Sequence, residues 1–346
     1  MITDATRMPS LVIRGLGAVS AAGWSVDEMV AAVSERRSIP ATAVPRADGL
    51  RDWDVTAKLV PPAPPALLPK HPRLRRASPV TRFMVAAAQE ALKGVEFDPQ
   101  RLGILVVMTN ACVQFTSRFY NEVIHTPALA SPLLFPETVF NAPASHLATL
   151  IGASGPVSTL IGESNLIAEA VRLAGLWLQA GLVDHCLVIG AEEADALALE
   201  AMTYYHKRLV GGEGAGALLL CLDGDGPRIE AIHGPFSYAT RAQRRKALEE
   251  MIQHIRPSSM LVDRAIGIDR LDRDERLAWS ATAPPTIHHP LEILGECMGA
   301  ASALQLVLAA ALARPSPVTC AVSLPGTGSA AFAVEISTET TDQPPD

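Results

Sequence analysis

Aromatic residues are scarce in this 346-residue chain, at 5%. The core must therefore be built from aliphatic side chains and alanine rather than from large rings. Charged residues are also few, at 19%, and the balance is acidic, with a formal net charge of −7. That argues against a nucleic-acid binder. The five cysteines (Cys112, Cys186, Cys221, Cys297, Cys320) are odd in number and scattered without a C-x-x-C spacing. Neither a disulfide framework nor a metal site is suggested, and no cofactor is expected. The nine histidines are equally dispersed; only His288 and His289 are adjacent, in a proline-flanked stretch that reads as a solvated loop. No run of 18 apolar residues occurs, and the first 24 residues lack a signal-peptide pattern. Together these absences read as a soluble, cytoplasmic protein without a membrane segment.

Hydrophobic residues make up 49% of the chain, enough for one large domain or two fused halves. Leu11 to Ser20 reads as a buried strand ending in glycine turns. Ser25 to Glu28 has the pattern of a capping box opening a helix through Val33. Residues 37 to 77 lack periodicity and read as a long proline-rich loop ending in a basic run of Lys70, His71, Arg73, Arg75 and Arg76. Ser78-Pro79 starts a helix, Leu102–Met108 reads as a central parallel strand, and helices are expected at 112–124 and 142–151. Strands are expected at 186–193, 217–222, 228–233, 259–263, 318–324 and 330–337. Helices are expected at 165–180, 194–206, 239–254, 272–279 and 295–312, and a frayed tail over 339–346. This alternation means α/β with mainly parallel sheets, and the apolar strand pair that ends each half hints at a duplication. The cluster from Gly211 to Gly216 precedes a strand rather than a helix and has no P-loop lysine, so it reads as close backbone contact and not as a phosphate cradle.

The most informative stretch runs from Gly155 to Asn165. An apolar, β-prone run ends at Gly162, Ser164 follows, and a long amphipathic pattern begins at Leu166. Strand, tight turn, serine and helix form the geometry of a nucleophile elbow, in which the helix N-terminus favours negative charge on the exposed side chain. The competing reading makes Ser164 a helix N-cap.

These landmarks resemble the β-ketoacyl synthase family of fatty-acid and polyketide synthesis. Gly155-Pro156 begins nine residues before Ser164, similar to the family's spacing between Gly-Pro and its nucleophilic cysteine. Val188-Ile189-Gly190-Ala191-Glu192-Glu193, Gly212-Glu213-Gly214-Ala215-Gly216, and Gly295 with Gly299-Ala300-Ala301 match family segments in order. The resemblance implies the thiolase fold, with duplicated βαβαβαββ halves (8–225 and 226–338) in a five-layer αβαβα sandwich. It also implies dimers and acyl chains carried on the phosphopantetheine arm of an acyl carrier protein. In that family a cysteine takes the acyl group and two histidines promote decarboxylative condensation.

This chain departs at each of those positions. Ser164 stands in place of the cysteine, Arg264 and Glu296 stand in place of the histidines, and Leu291 stands in place of the preceding lysine. A serine hydroxyl is far less ionised than a thiol and needs a base. An ionised Glu296 would repel a developing enolate, and Arg264 cannot act as a base. Arg264 and Glu296 are instead expected to pair near Ser164. The resemblance thus implies a condensation-incompetent, chain-length-factor-like subunit, partnered by an active ketosynthase or by itself, that meets an acyl carrier protein. The alternative is an acyltransferase or thioesterase using Ser164, with Glu296 acting through a water or through His146. A condensing enzyme with substituted residues is a third reading. Either the run at 70–76 or that of Arg241, Arg244, Arg245 and Lys246 would dock the carrier.

Overall fold

A computed structural model describes residues 8–44, 55–314 and 318–338. The expected tail at 339–346 lies outside the described residues. The chain runs through β1 (Leu11–Val19), α1 (Val26–Ser34), β2 (Thr42–Val44), β3 (Val55–Lys58), α2 (Pro79–Leu92), β4 (Leu102–Met108), α3 (Val113–His125) and α4 (Ala142–Ile151). It continues through β5 (Val157–Ile161), α5 (Ile167–Gln179), β6 (His185–Glu192), α6 (Ala196–Tyr205), β7 (Gly211–Gly212) and β8 (Gly214–Cys221). The second half has β9 (Arg228–Ser237), α7 (Arg241–Gln253), β10 (Met260–Val262), α8 (Asp269–Trp279), β11 (Thr286–His288), α9 (Pro290–Leu294), α10 (Ala301–Ala313), β12 (Thr319–Pro325) and β13 (Ala330–Ser337).

Ten strands join in the order β11-β10-β12-β13-β9-β1-β8-β6-β4-β5. The duplication, invisible residue by residue, is plain in the strand senses. From β1 outward, the pairings are antiparallel to β8, antiparallel to β6, then parallel to β4 and β5. From β9 outward, they are antiparallel to β13, antiparallel to β12, then parallel to β10 and β11. Within the sheet, among the described residues, the two halves pair where Leu11 and Val12 meet Ile229 and Arg228.

Alternation along the strands assigns each face to a different helix layer. Ile104, Val106, Leu187, Ile189, Ala217 and Leu219 share a core with α2 and α4. Their neighbours Leu105, Val107, Val188, Leu218 and Leu220 face inward, onto α5 and α10. From the other half, Val262, Val322, Val334 and Ile336 face the same two helices. Leu261, Ala321, Ala331 and Ala333 turn the opposite way, onto α7 and Trp279 of α8. The result is helix, sheet, helix, sheet, helix: the five-layer αβαβα sandwich.

Close approach in the middle layer depends on glycine. A Cβ on Gly216 of β8 would sit 2.7 Å from the backbone carbon of Ala303 in α10. The glycine cluster from Gly211 to Gly216 therefore serves backbone contact, as its sequence context suggests.

Three segments differ from expectation. The supposed loop at 37–77 contributes β2 and β3, which join β7 in a small sheet. Lys58 Nζ ties that sheet to α9 by donating to the carbonyls of Glu292 and Ile293, at 2.6 and 3.0 Å. The histidine pair is not a solvated loop: His288 ends β11, and His289 Nδ1 lies 2.8 Å from Asp263 Oδ1. The helix expected from Gly295 starts only at Ala301, because Gly295 and Met298 hold positive φ angles of 84° and 42°.

Because backbone rather than a flexible side chain would oppose the new methyl, Gly216→Ala is expected to lower unfolding stability by about 1–3 kcal/mol. Urea denaturation checks this. An unchanged midpoint would mean that α10 does not press on β8.

Candidate functional site

The elbow forms as its sequence suggests. β5 ends at Ile161, Gly162 N donates to Met108 O at 3.0 Å, and a 3-10 turn over Ser164–Leu166 leads into α5. Ser164 is 3% exposed, and its hydroxyl accepts from Ser302 Oγ on the first turn of α10 at 3.0 Å. It is not an N-cap. The cap position before the turn belongs to Glu163, whose side chain makes no capping bond. The cap reading is therefore corrected: the hydroxyl accepts from a neighbouring helix and caps nothing.

Glu163 turns its carboxylate across to the loop between β12 and β13. It accepts from Thr327 N at 2.9 Å, Thr327 Oγ1 at 2.8 Å, Gly328 N at 3.2 Å and Ser329 Oγ at 3.1 Å. Asn165 Nδ2 adds a bond to Ala330 O at 2.8 Å. The backbone donors of Thr327 and Gly328, beside the elbow, are thus occupied by a carboxylate. In this state they are not free to stabilise an oxyanion.

Arg264 and Glu296 meet. Arg264 Nη2 lies 2.7 Å from Glu296 Oε2, with side chains 10% and 7% exposed. The other oxygen, Glu296 Oε1, accepts from Met298 N at 3.0 Å. The backbone of Glu296 is fixed from both sides, its N–H donating to Val210 O and its carbonyl accepting from Gly212 N. The irregular run from Gly295 to Met298 is what aims this carboxylate at Arg264. His146 pairs its Nε2 with Glu137 Oε2 at 2.7 Å, while Ser164 bonds to Ser302 and Glu296 to Arg264.

These groups line a cavity of about 340 Å³. Its polar wall comprises Thr109, Asn110, Glu163, Ser164, Arg244, Arg264, Asp272, Glu275, Glu296 and Thr327. Ala198, Ala201, Met202, Leu209, Ile266 and Leu271 form an apolar wall. No histidine is among the described residues lining it. Of the basic run at 241–246, only Arg244 turns into the cavity; Arg241 pairs with Asp274 and Arg245 with Glu249.

Buried carboxyls brace the rim. Glu192 accepts from the N–H groups of Thr109 and Gly299, at 2.8 and 3.2 Å. Glu193 accepts from Val80 N and Gln114 N, both at 3.1 Å. Burial pushes Glu192 up to about 7 and Glu193 up to about 8, against these backbone bonds. Burial, and then the charge of Asp263, also raise Glu275. The roles of Glu163, Glu192, Ser302 and Arg244 escape sequence reasoning. Each acts on a partner on another element, 83 to 166 positions away for the first three.

No family model matches the chain, and no curated protein matches it in sequence. Solved structures do match in shape. The ishigamide ketosynthase/chain length factor superposes with a TM-score of 0.81 at 18% identity, over 95% of this chain and 99% of that one. The ketosynthase ApeO in complex with its chain length factor ApeC, from Xenorhabdus doucetiae, gives 0.75 at 14% identity, over 98% and 100%. A type II polyketide synthase complex described as AntDE:AntF, an acyl-carrier protein with its ketosynthase bound to the hexaketide, gives 0.74 at 16%, over 96% and 100%. The fold is therefore of the thiolase type. Within that type it is the fold shared by ketosynthases and chain length factors. No helix among the described residues is long and apolar enough to cross a membrane.

A buried ion pair is costly to break but cheap to replace whole. Arg264→Met or Glu296→Gln alone is expected to cost about 3–5 kcal/mol, and the double substitution to recover most of that. A double-mutant cycle by urea unfolding measures it.

The raised carboxyls also make a pH prediction. Between the ordinary value of 4.5 and the folded values of about 7 and 8, the folded protein binds more protons than the unfolded chain. Their contribution is therefore greatest below 4.5 and is lost as pH rises toward 8. Urea midpoints taken across that range should fall with pH, and Glu193→Gln should flatten the slope.

Proposed function

We propose that this chain is a condensation-incompetent, chain-length-factor-like subunit that pairs with an active ketosynthase in fatty-acid or polyketide-type synthesis. The observation that carries the reading is the 2.7 Å Arg264–Glu296 pair. It stands at the positions where the resemblance implies two histidines, beside a serine hydroxyl held by Ser302. A nucleophile without a base and an acidic group already neutralised offer no route to decarboxylation or thioester attack.

The outer surface supports the partner. β5 is an edge strand with one side of its backbone unpaired. Val157 and Ile161 on it are 41% and 42% exposed, beside Phe140 at 54% and near the chain segment bearing Phe135 at 56% and Leu133 at 61%. A bare strand edge with apolar flanks invites pairing with another chain. In this reading the chain completes a dimer and shapes its partner's acyl tunnel, and the acyl carrier protein, with its phosphopantetheine-bound acyl chain, is met by the complex. The intact elbow motivates a second reading, an acyltransferase or thioesterase using Ser164.

Two measurements decide. Incubation with acyl-thioester carrier proteins followed by intact-mass analysis should add no mass; stable acylation that disappears in Ser164→Ala would sink the subunit reading. Co-purification with a cysteine-bearing ketosynthase should survive Ser164→Ala and fall at least tenfold in Ile161→Lys.

A further inference from the structure

The small sheet of β2, β3 and β7 reaches the Arg264–Glu296 pair. β3 and β7 run in parallel, with Ala57 beside Gly211 and Lys58 beside Gly212. Gly211 also bridges in parallel to Glu296, so that residue extends the small sheet by one position. The N–H of Glu296 donates to Val210 O and its carbonyl accepts from Gly212 N, both at 2.9 Å. A Cβ on Gly295 would stand 2.5 Å from Gly211 O, so glycine is what lets the two segments lie this close.

This arrangement leaves a deficit at the end of α9. In a continuing helix the carbonyl of Glu292 would accept from the N–H of residue 296, four positions on. That N–H is spent on Val210. The backbone leaves the helix at Gly295, with φ 84° and ψ 173°, so the carbonyl of Ile293 loses residue 297 as its helical partner in the same way. A carbonyl left bare in a packed region is costly.

Lys58 makes up the deficit from β3, 234 positions away from Glu292. Its Nζ donates to Glu292 O at 2.6 Å and to Ile293 O at 3.0 Å. Lysine is well suited to the last carbonyls of a helix, because one ammonium carries several donors. The group is half-buried, and burial lowers its proton affinity. A charge is kept from water in this way where it meets matched acceptors. The small sheet therefore grips the 292–296 segment twice, by the Lys58 side chain at one end and by the β7 backbone at the other.

We propose that Lys58 is a positioning residue for Glu296. By standing in for the Glu296 N–H at the end of α9, it frees that residue to join β7 and to aim its carboxylate at Arg264. Without the ammonium, the bare carbonyls draw the 296 N–H back toward α9, and the carboxylate moves off the guanidinium. The inference concerns the geometry of the pair. It stands whether the chain is a silent subunit or acylates Ser164.

A double-mutant cycle of Arg264→Met and Glu296→Gln, followed by urea unfolding in the parent, Lys58→Met and Lys58→Arg backgrounds, tests this. The coupling constant of the pair should fall at least tenfold in Lys58→Met and be restored in Lys58→Arg, which keeps several donors on a long stem. The N–H of Met298, which donates to Glu296 Oε1 at 3.0 Å, reports the carboxylate's position directly. By nuclear magnetic resonance its hydrogen exchange should be at least tenfold faster in Lys58→Met than in the parent or in Lys58→Arg. Amides of α7, on the outer face of the second half, separate that local change from a general loss of stability. If Lys58→Met does not unfold cooperatively, Lys58→Gln, too short to reach both carbonyls, takes its place with the same expectations. A lysine that serves stability alone would shift all four corners of the cycle together, and unchanged coupling in the Lys58 variant would overturn the proposal. Absence of coupling in the parent, or unchanged Met298 exchange, would overturn it as well.

Discussion

The burial of α10 on every side is the constraint from which the rest follows. Its residues from Ala301 to Ala310 are buried, including Ser302 and Gln305. A helix that is apolar all round is at home only between two layers. Here those layers are the two halves of the ten-stranded sheet, which among the described residues pair where Leu11 and Val12 meet Ile229 and Arg228. The side-chain amide N–H groups of Gln305 donate to Asp263 O, just past β10, and to Ser323 O on β12. Glycines on β6 and β8 let the helix come within backbone contact. Once α10 is seated, Ser302 is delivered to Ser164, and the irregular run before the helix delivers Glu296 to Arg264.

The site combines a preserved scaffold with occupied chemistry. The strand, turn and helix that would present a nucleophile are all in place. The hydroxyl accepts from Ser302, the loop N–H groups donate to Glu163, and Glu296 is paired with Arg264. In a dry interior such pairs persist because unpairing leaves an uncompensated charge or an orphaned donor. Among the described residues, the edge of β5 keeps one side of its backbone unpaired.

Much of the fold is legible in the chain. Runs such as Leu102–Met108 are buried on both faces, so hydrophobicity alone marks them as strands, and helix starts such as Ser78-Pro79 carry their signal locally. Segments with weak local signals are not legible. β2, β3 and β11 have three or four residues each, too few for periodicity, and they exist because of what they pair with. The start of α10 is misplaced for the same reason. Alanine-rich sequence permits helix from Gly295 onward, but the bonds of Glu296 to Val210 and Gly212 hold that stretch out of it.

The sequence by itself determined the layered α/β architecture and the strand, turn and helix around Ser164. These are properties of residue type and order along the chain. Tertiary structure alone decided that Ser164 answers to Ser302, that Glu163 clamps the 327–329 loop, and that Arg244 turns inward while Arg241 and Arg245 do not. Those outcomes depend on contacts between segments as much as 166 positions apart. No local pattern encodes them, because hydrogen bonds across such separations form only after the two halves have closed around α10.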